Sequence, residues 1–443
     1  MANVLLRNAR LVDPAADIDG LRDVLVCRGR VDRVAEEIQP DEALRRLRAG
    51  GEGGALTCVD ADGLWLWPGL VDAHVHFREP GFTQKETLHT GGMAAAAGGY
   101  SSVVCEPNTD PPVDSVALVR RLAEQADREC AVRVYFKAAM TQGRRGEELS
   151  DIAALAEERR VVALSDDGDP VADAVLMEGI CRMAARARIM LAPHCEDSER
   201  SLKAVAAGAR PGFEPGEPYR NEPNYVERDL LLAARHGCRI HVSHVSLAPS
   251  VEAVERVRLG TGRAGHVSCE ATPHHLLLCA EDFPPGAAPK VNPPLRSARD
   301  REALCQALAS GRVDAVASDH APHTEQDKAA GAYGLVGLET TLGLVLTRFV
   351  HAGKLSAADA VRALSLSPAR IFGLPAGTLT PGSPADMVLV GPGLEWTVRP
   401  EEFRSRSRNT PFGGWRLRGR AVATYVAGNE AFSLPSFEAR KSA

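Results

Sequence analysis

Short runs of apolar and β-branched residues alternate with alanine-rich, charged segments through the middle of the chain. This alternation predicts strands and helices in turn, which is typical of βα units built around a parallel sheet. Eight strands are expected, and eight parallel strands close into a (β/α) barrel. The predicted strands cover residues 70–76, 100–106, 131–139, 160–165, 188–193, 239–243, 264–270 and 313–318.

Both ends of the chain have a different pattern, in which short strands are separated by turns. Before the barrel, the predicted strands lie at 4–12, 23–27, 30–35 and 64–67. After it, β-rich segments return at 377–390 and 414–426. We expect the two ends to form one discontinuous β domain, 1–66 together with 375–443, beside a barrel domain at 67–374. The predicted fold class is α/β.

Composition and charge exclude several classes of protein. The 443 residues carry a net charge of −6, and their 52 lysines and arginines are scattered, so a nucleic-acid surface is not expected. No apolar run approaches the roughly 18 residues of a membrane span, and the first residues lack a secretory signal. We therefore expect a cytoplasmic protein. The ten cysteines form no C-x-x-C pairs, which predicts reduced thiols in the core.

Two histidines end the first barrel strand. His74 and His76 are two residues apart, so a strand directs both imidazoles to the same side. Polar residues also follow the other predicted strands, and the carboxyl ends of barrel strands meet at the rim that holds the active site. In chain order these residues are Asn108; Thr141; Asp166 and Asp167; His194; His244; Glu270 and His274; and Asp319, His320 and His323.

This set of side chains is sufficient for two divalent ions that share one ligand. Imidazole and carboxylate groups without thiolates suit Zn²⁺, although Mn²⁺ or Co²⁺ fits the same donors. Paired ions lower the pKa of a water molecule and so provide a nucleophile at neutral pH, which indicates a hydrolase. A carboxylate such as Asp319 could move the proton. The candidate ligands are His74, His76, His194, His244, Asp319 and one residue of the pair Asp166 and Asp167.

Eight short segments carry a family resemblance. They are DAHVHFREPG at 72–81, EPNT at 106–109, SDDG at 165–168, HCED at 194–197, HVSHVS at 241–246, KVNPPLR at 290–296, SDHAPHT at 318–324 and GLET at 337–340. In these segments, and in their order, the chain resembles the dihydroorotases of the type I branch of the amidohydrolase superfamily. The resemblance implies a TIM-like barrel with a flanking β-sandwich. It also implies reversible interconversion of N-carbamoyl-L-aspartate and L-dihydroorotate in de novo pyrimidine (UMP) biosynthesis.

The resemblance also implies a role for each matching residue. His74 and His76 would bind one zinc ion and His194 and His244 the other, with two ions per chain. Asp167 would bridge the ions. Asp166 would orient the metal ligands without binding the ions. Asp319 would be both a metal ligand and the catalytic acid and base. The residues implied in substrate binding are His76, Arg78, Asn108, Asn292, His323, Tyr333 and Gly334.

Some positions depart from the family pattern. Glu106 stands where methionine is usual, Tyr333 stands where phenylalanine is usual, and the segment 324–333 is short for a loop expected to cover the substrate. Allantoinases and dihydropyrimidinases bridge their metals with a carboxylated lysine. Here no lysine follows the fourth strand, and Lys137 lies one strand earlier. This difference favours the dihydroorotase branch.

Two alternatives stay open. One is another cyclic amidase, such as a hydantoinase or an allantoinase. The other is a non-catalytic scaffold for aspartate transcarbamoylase, although such chains usually lose metal ligands and none is missing here. The partners to test are a small-molecule substrate, a second copy of the chain in a homodimer, and aspartate transcarbamoylase. We interpret four histidines away from the rim as structural: His89, His236, His266 and His351. We interpret Cys195 in the same way.

Overall fold

A computed structural model describes residues 3–49, 55–196, 222–261 and 264–442. The N-terminal part is a set of strands with one amphipathic helix, α1 (Pro40–Ala49), which the sequence analysis did not predict. The strand at residues 56–60 was not predicted either. The strands are β1 (Asn3–Asp13), β2 (Ile18–Cys27), β3 (Arg30–Ala35), β4 (Leu56–Asp60) and β5 (Trp65–Pro68).

Eight parallel strands follow and form the barrel in sequence order. The ring is closed by a parallel bridge between Val75 and His320, where His76 N donates to His320 O at 2.8 Å. All eight predicted strands are confirmed, although several are shorter than expected. They are β6 (Leu70–Val75), β7 (Tyr100–Cys105), β8 (Arg133–Ala138), β9 (Val161–Leu164), β10 (Met190–Leu191), β11 (Arg239–Val242), β12 (Val267–Ala271) and β13 (Ala315–Val316).

Helices connect the barrel strands and cover their outer surface. The helix that follows β6 begins at a Thr87 cap and packs so closely that a Cβ atom on Gly98 would lie 2.1 Å from Leu338 O. The helices are α2 (Leu88–Gly98), α3 (Val116–Glu129), α4 (Ile152–Ala156), α5 (Ala174–Ala187), α6 (Glu222–His236), α7 (Ala248–Thr261), α8 (Pro273–Leu277), α9 (Ala298–Ala309), α10 (Glu325–Ala329), α11 (Leu338–Val345), α12 (Ala357–Val361) and α13 (Ser367–Phe372).

The C-terminal strands complete the N-terminal sheet. They are β14 (Met387–Thr397), β15 (Arg416–Val426), β16 (Asn429–Ser433) and β17 (Lys441–Ser442). The nine-stranded sheet runs β16-β15-β14-β5-β1-β2-β3, and β1 also pairs with β4, which pairs with β17. Because β14 pairs with β5 and both ends of the chain share one apolar core, the flanking unit is a β-sandwich built from both termini.

The strand predicted at 377–390 begins too early. β14 starts only at Met387, because the preceding residues turn at Gly377 and Gly382, both of which have positive φ. Such backbone favours glycine and interrupts a strand. The domain boundaries at 66/67 and 374/375 stay a prediction. Among the described helices, none combines the length and the apolar composition needed to cross a membrane.

Candidate metal centre

The candidate metal centre lies at the carboxyl ends of the barrel strands. β6 is buried along its whole length and places His74 near its end, with His76 just beyond it. The two imidazole centroids are 5.3 Å apart. Asp72, on the same strand, accepts hydrogen bonds from the backbone N–H groups of His74 and Ser318, each at 3.1 Å. The first strand and the last are therefore held together directly beneath the site.

Asp167 lies among the four candidate histidines. Its Oδ1 is 3.4 Å from His74 Nε2, from His194 Nδ1 and from His244 Nε2. Its Oδ2 is 3.7 Å from His76 Nε2. Burial alone would raise the pKa of this carboxyl, but the surrounding imidazoles hold it well below its usual range. One ionised carboxylate therefore contacts both pairs of histidines, as a bridging ligand must.

Asp319 faces the centre from the last strand. Its Oδ1 is 3.2 Å from His76 Nε2 and 3.7 Å from His74 Nε2. Burial would raise its pKa, and the imidazoles of His76, His74 and His244 outweigh burial and lower it below the usual range. The six ligand candidates thus converge, and they include two overlapping groups that could each hold a metal ion. One group is His74, Asp167 and His244, and the other is His74, His76 and Asp319. His194, the sixth candidate, contacts Asp167.

The donor set fits divalent ions. His74 Nε2, the nitrogen that faces Asp167, is buried and has no hydrogen-bond partner. Buried polar atoms without partners are rare and call for an explanation such as an ion. His76 Nδ1 lies 2.8 Å from Asn108 Oδ1, so its proton can be donated there and its Nε2 lone pair is left for a metal.

Asp166 turns away from the histidines. It accepts hydrogen bonds from Met140 N at 2.8 Å, from Thr141 N at 3.2 Å and from the Thr141 hydroxyl. Its carboxylate therefore fixes the segment that follows β8. This position agrees with the orienting role that the sequence analysis gave to Asp166.

The residues expected to bind substrate surround the same rim. Asn108 Nδ2 donates to Asp167 Oδ2 at 3.1 Å, and Asn292 Nδ2 lies 2.9 Å from His194 Nε2. Both amides are thus in contact with candidate metal ligands. If His194 binds a metal through Nδ1, its Nε2 carries the proton, and Asn292 must present its oxygen instead.

A positively charged corner adjoins the centre. Arg78 Nη2 lies 3.2 Å from His323 Nε2, and Lys85 Nζ lies 3.4 Å from His323 Nδ1. Burial and these two cations lower the pKa of His323 to about 3, so this imidazole is neutral. Sequence reasoning missed Lys85, although it is a lysine in the loop after the first barrel strand. Anionic groups are attracted to such a corner.

Tyr333 and Gly334 adjoin this corner through their backbone. His323 Nε2 lies 2.7 Å from Tyr333 O, and Gly334 has a φ of 134° and packs against Ala321. The segment from 324 to 334 contains α10, and Lys328 Nζ donates to Gly334 O at 2.9 Å. Asp197, the last residue of the HCED segment, lies outside the described residues.

Three site residues have left-handed backbone conformations that side chains rarely adopt. The φ angles are 59° at Arg78, 32° at His244 and 46° at Asp319. Such strain concentrates at functional sites, where the surrounding structure imposes it. No periodicity in the sequence reveals it, because it arises from loop closure at the rim.

Comparison with known proteins agrees with this geometry. Residues 65–431 match the amidohydrolase family. A dihydroorotase of Anaeromyxobacter dehalogenans strain 2CP-1 is 42% identical over 442 residues, covering 97% of this chain and 98% of that protein. A dihydroorotase of Brevibacillus brevis is 39% identical over 436 residues, covering 96% of this chain and 98% of that protein.

Solved structures show the same architecture. The L-hydantoinase (dihydropyrimidinase) of Arthrobacter aurescens superposes with a TM-score of 0.83 at 26% identity, covering 98% of this chain and 96% of that one. The dihydropyrimidinase of Brevibacillus agri NCHU1002 has a TM-score of 0.82 at 23% identity, covering 97% and 95%. The second likeness concerns the fold alone. Together with the sequence relatives and the convergent histidines and aspartates, these matches place the chain in the amidohydrolase family, among the dihydroorotases.

Proposed function

We propose that this chain is a zinc-dependent dihydroorotase of type I, which interconverts N-carbamoyl-L-aspartate and L-dihydroorotate in de novo pyrimidine (UMP) biosynthesis. The observation that carries the proposal is the position of Asp167, within 3.7 Å of all four candidate histidines. Its contact with both pairs of histidines supports a bridging role for Asp167. The identity of the substrate is inferred from the relatives that are named dihydroorotase.

The proposal assigns two zinc ions to the chain. His74 and His76 would bind one ion and His194 and His244 the other, with Asp167 bridging them and Asp319 as a further ligand. When bound, the ions would polarise the ring carbonyl and lower the pKa of a water molecule.

The chain's own residues would perform the remaining steps. In the hydrolytic direction, water adds to the ring amide carbon and the carbon–nitrogen bond breaks. Asp319 would accept the proton of the attacking water and deliver it to the departing nitrogen. The second proton of the water remains on the new carboxyl group, which releases it to solvent at neutral pH.

The substrate is an anion, and the positively charged corner suits it. Arg78 would pair with its carboxylate through the guanidinium fork, and Lys85, which also pairs with Asp327 at 3.5 Å, lies nearby. We propose that His76, Asn108, Asn292 and His323 line the remainder of the substrate site. Tyr333 and Gly334 would border it through the backbone.

A hydantoinase-like activity is the second candidate, since a hydantoinase is among the solved structures that superpose on this chain. Those enzymes are expected to need a bridging carboxylated lysine. Here the ammonium of Lys137 forms a buried ion pair with Glu106, and Asp167 lies among the histidines. This arrangement favours dihydroorotate over hydantoin or allantoin.

We further propose a cytoplasmic enzyme that acts as a homodimer. Association with aspartate transcarbamoylase is a separate proposal, and it is tested by co-purification of the two chains. A purely scaffolding role would require that the chain neither bind metal nor turn over substrate.

The deciding experiment measures metal content and dihydroorotate hydrolysis on one purified sample, before and after chelation. About two zinc ions per chain, with activity lost on chelation and restored by zinc, is the expected result. Hydantoin and allantoin serve as control substrates. Bound metal with turnover of a control substrate alone would replace dihydroorotase by another cyclic amidase, and absence of both metal and turnover would favour the scaffold.

A further inference from the structure

A buried pair of charges lies directly beneath the candidate metal centre. Glu106, just after β7, and Lys137, on β8, form an ion pair, and both side chains are fully shielded from solvent. Lys137 Nζ also lies 5.7 Å from the centroid of the Phe372 ring. Replacing such a pair by apolar residues is often neutral or stabilising. Stability alone therefore does not account for these two charges.

The pair reaches a candidate metal ligand. Glu106 Oε1 lies 3.3 Å from His74 Nδ1, and Glu270 Oε1 lies 3.2 Å from the same nitrogen and accepts its hydrogen bond. Glu270 Oε2 is in turn 3.1 Å from His241 Nε2. Two carboxylates thus face the edge of His74 that points away from the centre, whereas Nε2 points towards it.

A carboxylate at Nδ1 has a defined effect on an imidazole ligand. It keeps the proton on Nδ1, so that the lone pair of Nε2 is available to a metal, and it increases the basicity of that nitrogen. Two unpaired carboxylates this close would repel each other. Lys137 neutralises Glu106 and fixes its position, which allows both carboxylates to lie beside one ring.

We propose that the ion pair of Glu106 and Lys137 is a positioning element that orients His74 and strengthens its hold on a divalent ion. The inference rests on the proposed function, because it takes His74 Nε2 as a metal ligand. The ion pair also explains why Glu106 replaces the methionine that is usual at this position in the family. The methionine expected there would leave Lys137 buried without its counter-charge, so the two residues act as one unit.

The test removes both charges together, in the variants E106M/K137M and E106Q/K137M. Neither leaves an unpaired charge, so each should fold with a melting temperature near that of the parent protein in the metal-free state. The dissociation constant for zinc, measured by competition with a chelator, should rise by about 10–100-fold, as it does when partners behind metal ligands are removed. The glutamine variant keeps the shape of residue 106, and therefore isolates the charge.

R258M is the matched control. Arg258 pairs with Asp314 at the opposite end of the barrel strands, so its loss should lower the melting temperature and leave zinc affinity unchanged. Parental affinity in both double variants would overturn the inference and leave the proposed function intact. So would failure of both to fold while R258M folds, because the pair would then be structural. A parent protein that binds no divalent ion would overturn both proposals.

Discussion

Asp319 is ionised, so its carboxylate is available as a metal ligand and as a proton acceptor, although its lowered pKa weakens it as a base. It is buried, its backbone has a positive φ, and imidazoles lower its pKa. The substitution Asp319→Asn keeps the shape of the side chain but removes most of its ability to accept a proton. We expect kcat to fall by about 10²–10⁴-fold, the usual contribution of such a group.

Steady-state kinetics on D319N checks this prediction. The metal content and the circular dichroism spectrum of the same variant are measured as well. The variant should remain folded, because a neutral amide can stay in contact with His76. Near-normal turnover by a variant of unchanged metal content would remove Asp319 from proton transfer.

Arg78 should act mainly in binding. Its guanidinium is buried and adjoins His323, and burial lowers its pKa to about 10, which still leaves it charged at neutral pH. Loss of one partner of a buried charge pair costs roughly 2–5 kcal/mol, so R78A should raise KM by about 30-fold or more. Because this interaction is made in both the ground and the transition state, kcat should change little.

The control for this variant is R120A, which removes an exposed arginine on α3 that pairs with Glu158. Its kinetics should match those of the parent enzyme. An unchanged KM in R78A would exclude Arg78 from the substrate's carboxylate.

At the scale of elements, Arg296 connects segments that are far apart in the sequence. Its guanidinium donates to Glu196 at 2.8 Å, after β10, and to the Ser246 hydroxyl at 2.9 Å, after β11. It also contacts Glu222 at 3.4 Å, at the start of α6. All of these side chains are buried. Arg296 therefore fixes the strand ends on which His194 and His244 are placed.

The substitution Arg296→Met removes a buried cation that pairs with two buried carboxylates, which should cost roughly 3–5 kcal/mol of unfolding free energy. Urea denaturation of zinc-saturated protein measures it. R362M removes the exposed pair between Arg362 and Asp359 and should cost only about 0–1 kcal/mol. Equal losses in the two variants would contradict a special role for Arg296.

At the scale of the whole molecule, both ends of the chain build one sheet beside the barrel. β14 pairs with β5, and Met387 and Leu389 pack in the same core as Leu6 and Leu11. A chain that ends at Asp386 would lose these strands and expose an apolar sheet edge, which promotes aggregation. We expect it to be insoluble or to unfold without a cooperative transition.

Thermal unfolding followed by circular dichroism tests this expectation. A chain that ends at Arg440 loses the short pairing of β17 with β4 and the partly exposed ion pairs of Lys441 with Glu430 and Glu438, and it should melt close to the full-length protein. Cooperative melting of the 1–386 chain near the parental temperature would show that the barrel is independent of the flanking sheet.

The sequence by itself determined the barrel and the identity of the residues at its rim. Alternating apolar and charged segments set the order of strands and helices, because those patterns depend on local periodicity. His74 and His76 share one side of the rim for the same reason. The chain order of strand ends collected a set of rim residues that included the candidate ligands, and the family resemblance was needed to choose Asp167 over Asp166.

Only the tertiary structure decided which side chains touch. Asp166 and Asp167 are neighbours in sequence, yet one binds the backbone after β8 and the other faces the histidines. Lys85 contacts His323, and Glu106 contacts Lys137 beneath His74, through contacts between different strands and loops. Such contacts depend on the packing and closure of the whole barrel, which no local pattern encodes.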